Sequence, residues 1–519
     1  MTADTASPAN EKDAAKARDN LMRFMREKFK DLFKDTKNPL FTLTGAPELV
    51  SEYLGFAGIA AGTMDYLGLD AALDRALPPE DAPGSIPGSA LLRALVTELL
   101  SADPAPDLRD PREYFAKMPL EAFLNRDIPA PALTEDAISR FLDRVQSSGP
   151  EKIFTALSGT AFKNAGLTVT SCRLGSAEFA LWDDPITGSG QTLMAIREGK
   201  RSKSSESGDL TLLSLTDART RIPLFAKSGT AADFQPEKLP EFLRLGLPLL
   251  KEQFPDLRYL TLEYRVLTPE ILAAAQESGL CILMKLPNTL KCVKSLREAN
   301  FTDGFVSITE PDRKICRARF SGTAEISGIK VQLILAETEE DAEKTPKVTR
   351  FVIAAAGTAD HAALAEMLAP FTDFPASPDM WRISRDPRIF AGSLLLSNPD
   401  HRNALLMILA AGILVADFTE YVMKNAMERE NLKMPAPDHR MNLASPGIAR
   451  FKELTDNSRI FMLFFFNTGN FMLSQVPDIF ASIVVAMGEC WLRYYQPKTY
   501  ADLYSGLAAG EKTAKQVAG

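Results

Sequence analysis

Two groups of side chains in this sequence could do chemistry, and both are cationic. Arg197, Lys200, Arg201 and Lys203 crowd one short stretch, and Lys285, Lys291, Lys294 and Arg297 form a second. Guanidinium and ammonium groups grouped in this way can hold phosphate oxygens, which positions a nucleic acid without reading its bases. The plainer reading is a solvated loop and a solvated helix face. Other reactive types are scattered. The five cysteines, Cys172, Cys281, Cys292, Cys316 and Cys490, contain no CxxC pair, which fits reduced thiols better than a disulfide framework. His361, His401 and His439 are far apart and form no local ligand set, which argues against a zinc site.

The bulk charge pulls against the basic patches. There are 59 Lys and Arg against 67 Asp and Glu, a formal net charge of −8. A net acidic chain does not coat nucleic acid non-specifically, because that binding is carried by Lys and Arg. No small-molecule substrate is evident from the composition. The N-terminus lacks an apolar signal core, so a cytoplasmic location is expected. Two apolar stretches, Ala404–Ala416 and Phe461–Met487, are too short or too interrupted for a membrane span and are expected as buried core helices.

The elements that would position these residues follow from the hydrophobic period. Residues 1–47 read as a flexible arm with an amphipathic helix, since Leu21, Met22, Met25, Phe29, Leu32 and Phe33 share one helical face. Residues 48–166 read as a helical domain, with Ser89 capping ALLRALVTELL and Thr134 capping the helix around AISRFLDRV. At Leu167 the period changes to that of strands. LTVTSCRLGSAEFALW, DLTLLSLT, IPLFAK, RYLTLE and LCILMK follow, the last three separated by helical patterns at 239–254 and 269–278. Residues 167–300 therefore form the first part of a mixed α/β core. Residues 301–358 read as a β-rich insertion containing a hairpin that turns at Ser327-Gly328. Residues 359–503 read as helical, and 504–519 as a polar tail.

The order and wording of several segments resemble a known family. GLDAALDRALP, Ser202-Lys203 followed by Asp209-Leu210, KLPNTLKCVK (285–294), the run from Arg385 to Pro435 and Leu-Arg-Tyr-Tyr at 492–495 are similar to the insertion-sequence transposases of the DDE type. That family has a ribonuclease-H-like nuclease core behind a helical N-terminal domain. The resemblance implies an α/β fold: a ribonuclease-H-like mixed sheet with a β-rich insertion, flanked by helical N-terminal and C-terminal regions. It implies DNA as partner, in a homodimer, and cut-and-paste transposition by two Mg²⁺ ions held by carboxylates. The family places Asp on the first core strand, Asp at the end of the fourth and Glu on a later helix. Here those positions fall at Gly175, Glu263 and Pro378, so only Glu263 keeps a carboxylate. Asp379, Glu178, Asp183, Asp184 and Asp373 are the nearby substitutes, and Asp379 would serve if the register shifts by one.

Two expectations follow from the resemblance and a third stands outside it. The first is a degenerate transposase that binds DNA or a protein without cutting and needs no cofactor. The second is an active, Mg²⁺-dependent enzyme with shifted ligands. The third is a structural protein with no nucleic-acid role. The family also places DNA near Arg197, Lys200, Arg201, Lys203, Lys285, Lys291 and Lys294.

Overall fold

Runs of small and aliphatic residues with capped ends build the N-terminal helices. These are α1 (Ala57–Leu67), α2 (Leu69–Ala76), α3 (Gly88–Ser101), two short turns α4 (Pro111–Phe115) and α5 (Leu120–Leu124), then α6 (Glu135–Ser148) and α7 (Pro150–Asn164). The computed structural model describes residues 48–79, 85–101, 111–115, 118, 120–126, 128–183, 192–196, 210–230, 233, 235–301, 303–308, 315–340, 347–357, 363–371, 388–390, 398–435, 442–443, 447–455, 459–465, 469–475 and 478–495. Some of these are described by backbone alone, among them 177–183 and 192–196. The expected arm helix and the polar tail lie outside the described residues. Thr134 caps α6, its hydroxyl accepting from the Ala137 amide at 3.2 Å. Ser89 does not cap α3: the helix begins at Gly88, where Pro87 O already accepts from Ala90 and Leu91, and Ser89 Oγ accepts from Arg126 instead. The region is also not wholly helical, because a strand β1 (Glu48–Tyr53) precedes it.

The strand runs form as expected, with one addition. β2 (Ser171–Asp183) is followed by a short β3 (Thr192–Ile196), which the sequence pattern did not flag. Then come β4 (Leu210–Asp217), β5 (Pro223–Thr230), helix α8 (Leu239–Gln253), β6 (Tyr259–Thr261), helix α9 (Pro269–Glu277) and β7 (Cys281–Leu286). β2, β4 and β5 pair antiparallel, whereas β2–β6 and β6–β7 are parallel. The lateral order is therefore β5-β4-β2-β6-β7. A parallel pair needs a crossover, and α8 and α9 supply the two. Strands covered on both faces carry unbroken apolar runs; β4 and β6 are buried throughout and β7 at every position but Lys285.

The sheet does not stop at β7. After α10 (Lys291–Glu298) and the two-residue β8 (Val306–Ser307), the insertion adds β9 (Ile315–Ile326), β10 (Ile329–Glu340) and β11 (Lys347–Ala356). β11 pairs antiparallel with β7, extending the sheet in the order β7-β11-β10-β9-β8. Ser327 and Gly328 both take positive φ, 49° and 75°, the two-residue turn whose twist matches that of the flanking strands. One face of this extension packs on α11 (Leu364–Leu368) and Phe371 through Leu283, Ile334, Ile353, Met367 and their neighbours.

Beyond residue 371 the expectation of helices alone needs correcting. Strands β12 (Arg388–Phe390), β13 (Met434–Pro435) and β14 (Asn442–Leu443) interrupt it, and the apolar segment 461–487 is not one core helix. It contains strands β15 (Arg459–Phe465) and β16 (Gly469–Gln475) before α14 (Asp478–Met487). The helix expected over 404–416 is far longer: α12 runs from Pro399 to Arg429, capped by the Asn398 side chain. It is long and apolar enough to cross a membrane by length and composition, yet 78% of its most apolar window is buried inside the protein. A helix α13 (Ile448–Thr455) and a closing α15 (Glu489–Leu492) complete the set. Two compact units are distinguished, 50–462 with 472–519, and 1–49 with 463–471. The described part of the smaller unit is strand backbone at its ends.

Candidate functional site

Two sequence-flagged positions come together at a strand end. Along the β2–β6 pair the last matched residues are Arg173 and Thr261. Gly175 and Glu263 each lie two residues further on, in the same direction, because the strands are parallel. On its other edge Gly175 is matched to Ser214 of β4, whose hydroxyl lies 3.5 Å from the glycine carbonyl. β3 joins the β6 side of β2 only from Phe179 onward. Residues 174–178 of β2 thus border a notch between β6 and β3, and Glu263 stands at its rim.

The chemistry of that notch is sparse. Glu263 is exposed, and its carbonyl accepts from the Val266 amide at 3.0 Å as the chain enters a turn of 3₁₀ helix over 264–266. Among the described residues no ion pair ends on its carboxylate, so the strand-end salt bridge that is the ordinary fate of such a residue is not made with any of them. Arg265, beside it, donates instead to the Tyr264 hydroxyl at 3.0 Å. A Cβ placed on Gly175 would meet, among the described residues, only Ser214 Oγ at 3.4 Å, so their packing does not require glycine there. Among the described residues no three His, Cys, Asp or Glu side chains gather into a metal-binding group. Pro378, Asp379, Asp373 and Asp184 lie outside the described residues, as do the side chains of Glu178 and Asp183. Cys172 and Cys281 are buried, and burial pushes the Cys281 thiol up to about 11, which makes it a poor nucleophile.

The second basic patch is partly assembled. Lys291 and Lys294 are exposed one helical turn apart on α10, while Val293 between them is buried and seats the helix. Lys285 sits on β7 opposite Ile353, with its ammonium 4.8 Å from the centre of the Phe351 ring. Partial burial pulls its pKa down from the usual lysine value. Lys285 is therefore a cation packed on an aromatic face, whereas Lys291 and Lys294 point to solvent. The first patch, Arg197, Lys200, Arg201 and Lys203, lies outside the described residues.

The most elaborate polar assembly joins the N-terminal helices to the chain end. Arg93, 1% exposed, donates to Asp65 at 2.7 Å, to Asp70 at 2.8 Å, and to the carbonyls of Ala61 and Phe123. Tyr494 donates to Asp65 at 2.6 Å, and Arg493 pairs with the same carboxylate. Burial drives the Tyr494 phenol well above its ordinary pKa, so it stays a donor. Beside this network Trp491 Nε1 donates to Thr63 Oγ1 at 2.8 Å, and Thr63 meets Thr419 of α12 at 2.7 Å. Leu-Arg-Tyr-Tyr and the GLDAALDRALP segment that holds Asp70 stand out in the sequence, but nothing there joins them. The signal for the rest was an arginine in mid-helix among leucines, which points to a buried ion pair. This assembly is structural: the Arg93 guanidinium, the Tyr494 hydroxyl and the Trp491 indole N–H all donate to protein acceptors.

Comparisons with known proteins add one local match. A family described as "Domain of unknown function (DUF4277)" matches residues 49–159, which covers the helices α1 to α6 and most of α7. No curated protein sequence matches the chain. Among solved structures, a cryo-EM structure of a piggyBac transposase synaptic complex with hairpin DNA is similar at 11% identity, over 86% of this chain and 81% of that one, with a TM-score of 0.30. A likeness at that score carries no argument.

Proposed function

We propose that this chain is a transposase-related protein with a ribonuclease-H-like core, which binds DNA through its basic surface and does not cut it by two-metal chemistry. The observation that carries the reading is the placement of Gly175 and Glu263, each two residues past Arg173 and Thr261, the last matched residues of the β2–β6 parallel pair. These are the positions where the resemblance asks for the first two metal carboxylates. Three antiparallel strands followed by two helix-crossover strands support the core assignment. Among the described residues, those at this strand end do not fit a pair of Mg²⁺ ions. Glycine offers no ligand, and one exposed glutamate by itself cannot clamp two hard cations that need several oxygens each. The two-metal reaction is therefore not assigned to this chain.

DNA binding is supported by the exposed lysines of α10, the helix that follows β7. The net charge of −8 sets the form that binding takes. A few local phosphate contacts are expected, not a coat over the whole surface. Two measurements test the reading. Affinity for duplex DNA should fall as salt rises, and more gently after Lys291→Ala with Lys294→Ala, by a slope of about 0.9 per lost contact. Supercoiled plasmid with Mg²⁺ or Mn²⁺ should stay intact. Nicking that disappears in Glu263→Gln would show an active enzyme with shifted ligands, such as Asp379 or Glu178, and would sink the non-cutting reading.

A further inference from the structure

The β-rich insertion holds an ion triad, centred on one buried carboxylate, that reaches out to α10. Glu337 of β10 is 2% exposed and lies in register with Arg317 of β9 on one side and Arg350 of β11 on the other. Arg317 Nε donates to one carboxylate oxygen, and Arg350 Nε donates to the other at 2.8 Å. A carboxylate flanked by two guanidiniums fixes both planes through charge-assisted hydrogen bonds. The fixed orientation of Arg350 has a result outside the sheet. Its Nη1 donates at 3.0 Å to two carbonyls, those of Arg297 and Ala299, at the C-terminal end of α10.

Those carbonyls need a donor. The last turn of a helix leaves its C=O groups without intrahelical partners, and a cation there also meets the negative end of the helix dipole. α10 is only eight residues long and buries only Val293. So short a helix is marginal by itself. Its C-cap Ala299 is in an extended conformation, with no glycine turn to close the end. Arg350 takes the place of that missing cap.

We propose that Arg350, held by Glu337, is a positioning residue: it braces α10 from the insertion and thereby fixes Lys291 and Lys294 for phosphate contact. The ligand class is the phosphodiester backbone of duplex DNA, and in this the inference rests on the DNA-binding reading above. The insertion then acts on DNA without touching it, through one arginine and two carbonyls.

The test uses the full-length protein, a short fluorescent duplex and hydrogen exchange read by mass spectrometry. Arg350→Gln should speed amide exchange over residues 291–299 by at least about tenfold, the effect of losing a charge-assisted hydrogen bond. Glu337→Gln should act in the same direction and less strongly, since it keeps a neutral acceptor. Arg317→Gln leaves the Arg350 bonds intact and should not alter exchange there. Arg350→Gln should also flatten the dependence of log K on log salt between about 50 and 200 mM. A merely less stable protein would lose affinity at an unchanged slope, because only the folded fraction falls. Unchanged exchange at 291–299 in Arg350→Gln overturns the brace. Faster exchange with an unchanged salt slope overturns its role in phosphate contact. If the wild-type protein binds no duplex, the DNA-binding reading falls, and the exchange result alone decides the brace.

Discussion

Two glycines buried in long helices offer a sharp test of how the chain end is held. Gly62 of α1 and Gly412 of α12 both sit in helix interiors, where alanine is favoured over glycine by about 0.8–1 kcal/mol. A Cβ at Gly62 would lie 2.7 Å from Trp491 Cδ1 and 2.8 Å from both Cys490 O and Trp491 Cα. Two of these three atoms are backbone. They are pinned by the Trp491–Thr63 bond and by the Tyr494–Asp65 bond nearby. Overpacking against such a wall costs about 1–3 kcal/mol or more. A Cβ at Gly412 would lie 2.6 Å from Leu99 Cδ2, with Leu99 Cγ 3.6 Å away. That contact is the tip of a half-buried side chain, which a rotamer change relieves at about 0.5–1.5 kcal/mol. Gly62→Ala should therefore lose about 1–2 kcal/mol net, and Gly412→Ala should stay within about 0.5 kcal/mol of the wild type. Equilibrium urea unfolding reads the difference as a shift in midpoint at constant slope. If Gly62→Ala proves as stable as Gly412→Ala, the 488–495 segment is not seated on α1 as described.

Other predictions concern buried charge and the notch. Arg93→Ala takes the guanidinium from two half-buried carboxylates, Asp70 and Asp65, the second of which keeps Arg493 and Tyr494, and should cost up to about 3–5 kcal/mol, seen as a drop in urea midpoint; a loss below about 1 kcal/mol would mean the network is wet. Asp417 on α12 has a buried oxygen, Oδ2, with no hydrogen-bond partner, and burial followed by repulsion from Glu420 holds its pKa well above the usual carboxylate value. Its folded form therefore prefers the proton, so stability is fully present below about pH 4 and is lost as pH rises towards the raised folded pKa. Asp417→Asn should match the wild type at the acid end and gain over it as pH rises; a difference that does not grow with pH counts against a protonated Asp417. Gly175→Ala fits its site and removes the entropic cost of glycine in a strand, so a gain of up to about 1 kcal/mol is expected in thermal unfolding. Loss of stability there would mean that β2 is more crowded at the notch than it stands.

What the sequence made legible was local and periodic. Thr134, the Ser327-Gly328 turn and the strand-like composition of DLTLLSLT each act within a few residues, so their outcome could be read directly. The run from 461 to 487 could not, because an apolar stretch of that length is compatible with strand or helix. Asn467 and Asn470 interrupt it as a membrane span, yet Asn470 lies within β16, and Asn467 lies outside the described residues. α12 runs past the apolar stretch 404–416 because the charges that bound that stretch, Arg402 and Asp417, do not end a helix. In place, Thr419 Oγ1 donates to its own Val415 carbonyl at 2.7 Å, and the helix carries on. The site was legible only as a pair of positions. That Gly175 and Glu263 share a register follows from parallel pairing, which no local pattern encodes. The Glu337 triad was invisible for the same reason, since its three members come from three strands.

The union of Arg93 with Tyr494 spans 401 residues of sequence. During synthesis the helices α1 to α3 leave the ribosome long before their closing segment exists. At about 5–20 residues per second, that interval is on the order of 20–80 seconds. Throughout it, the Gly58 and Gly62 face lacks Trp491, and the guanidinium of Arg93 has the aspartates but not the phenol. Helices α1 to α3 are thus made well before they are finished. A nascent chain of this protein has to shelter the Gly58 and Gly62 face until Trp491, Tyr494 and Tyr495 arrive to cover it.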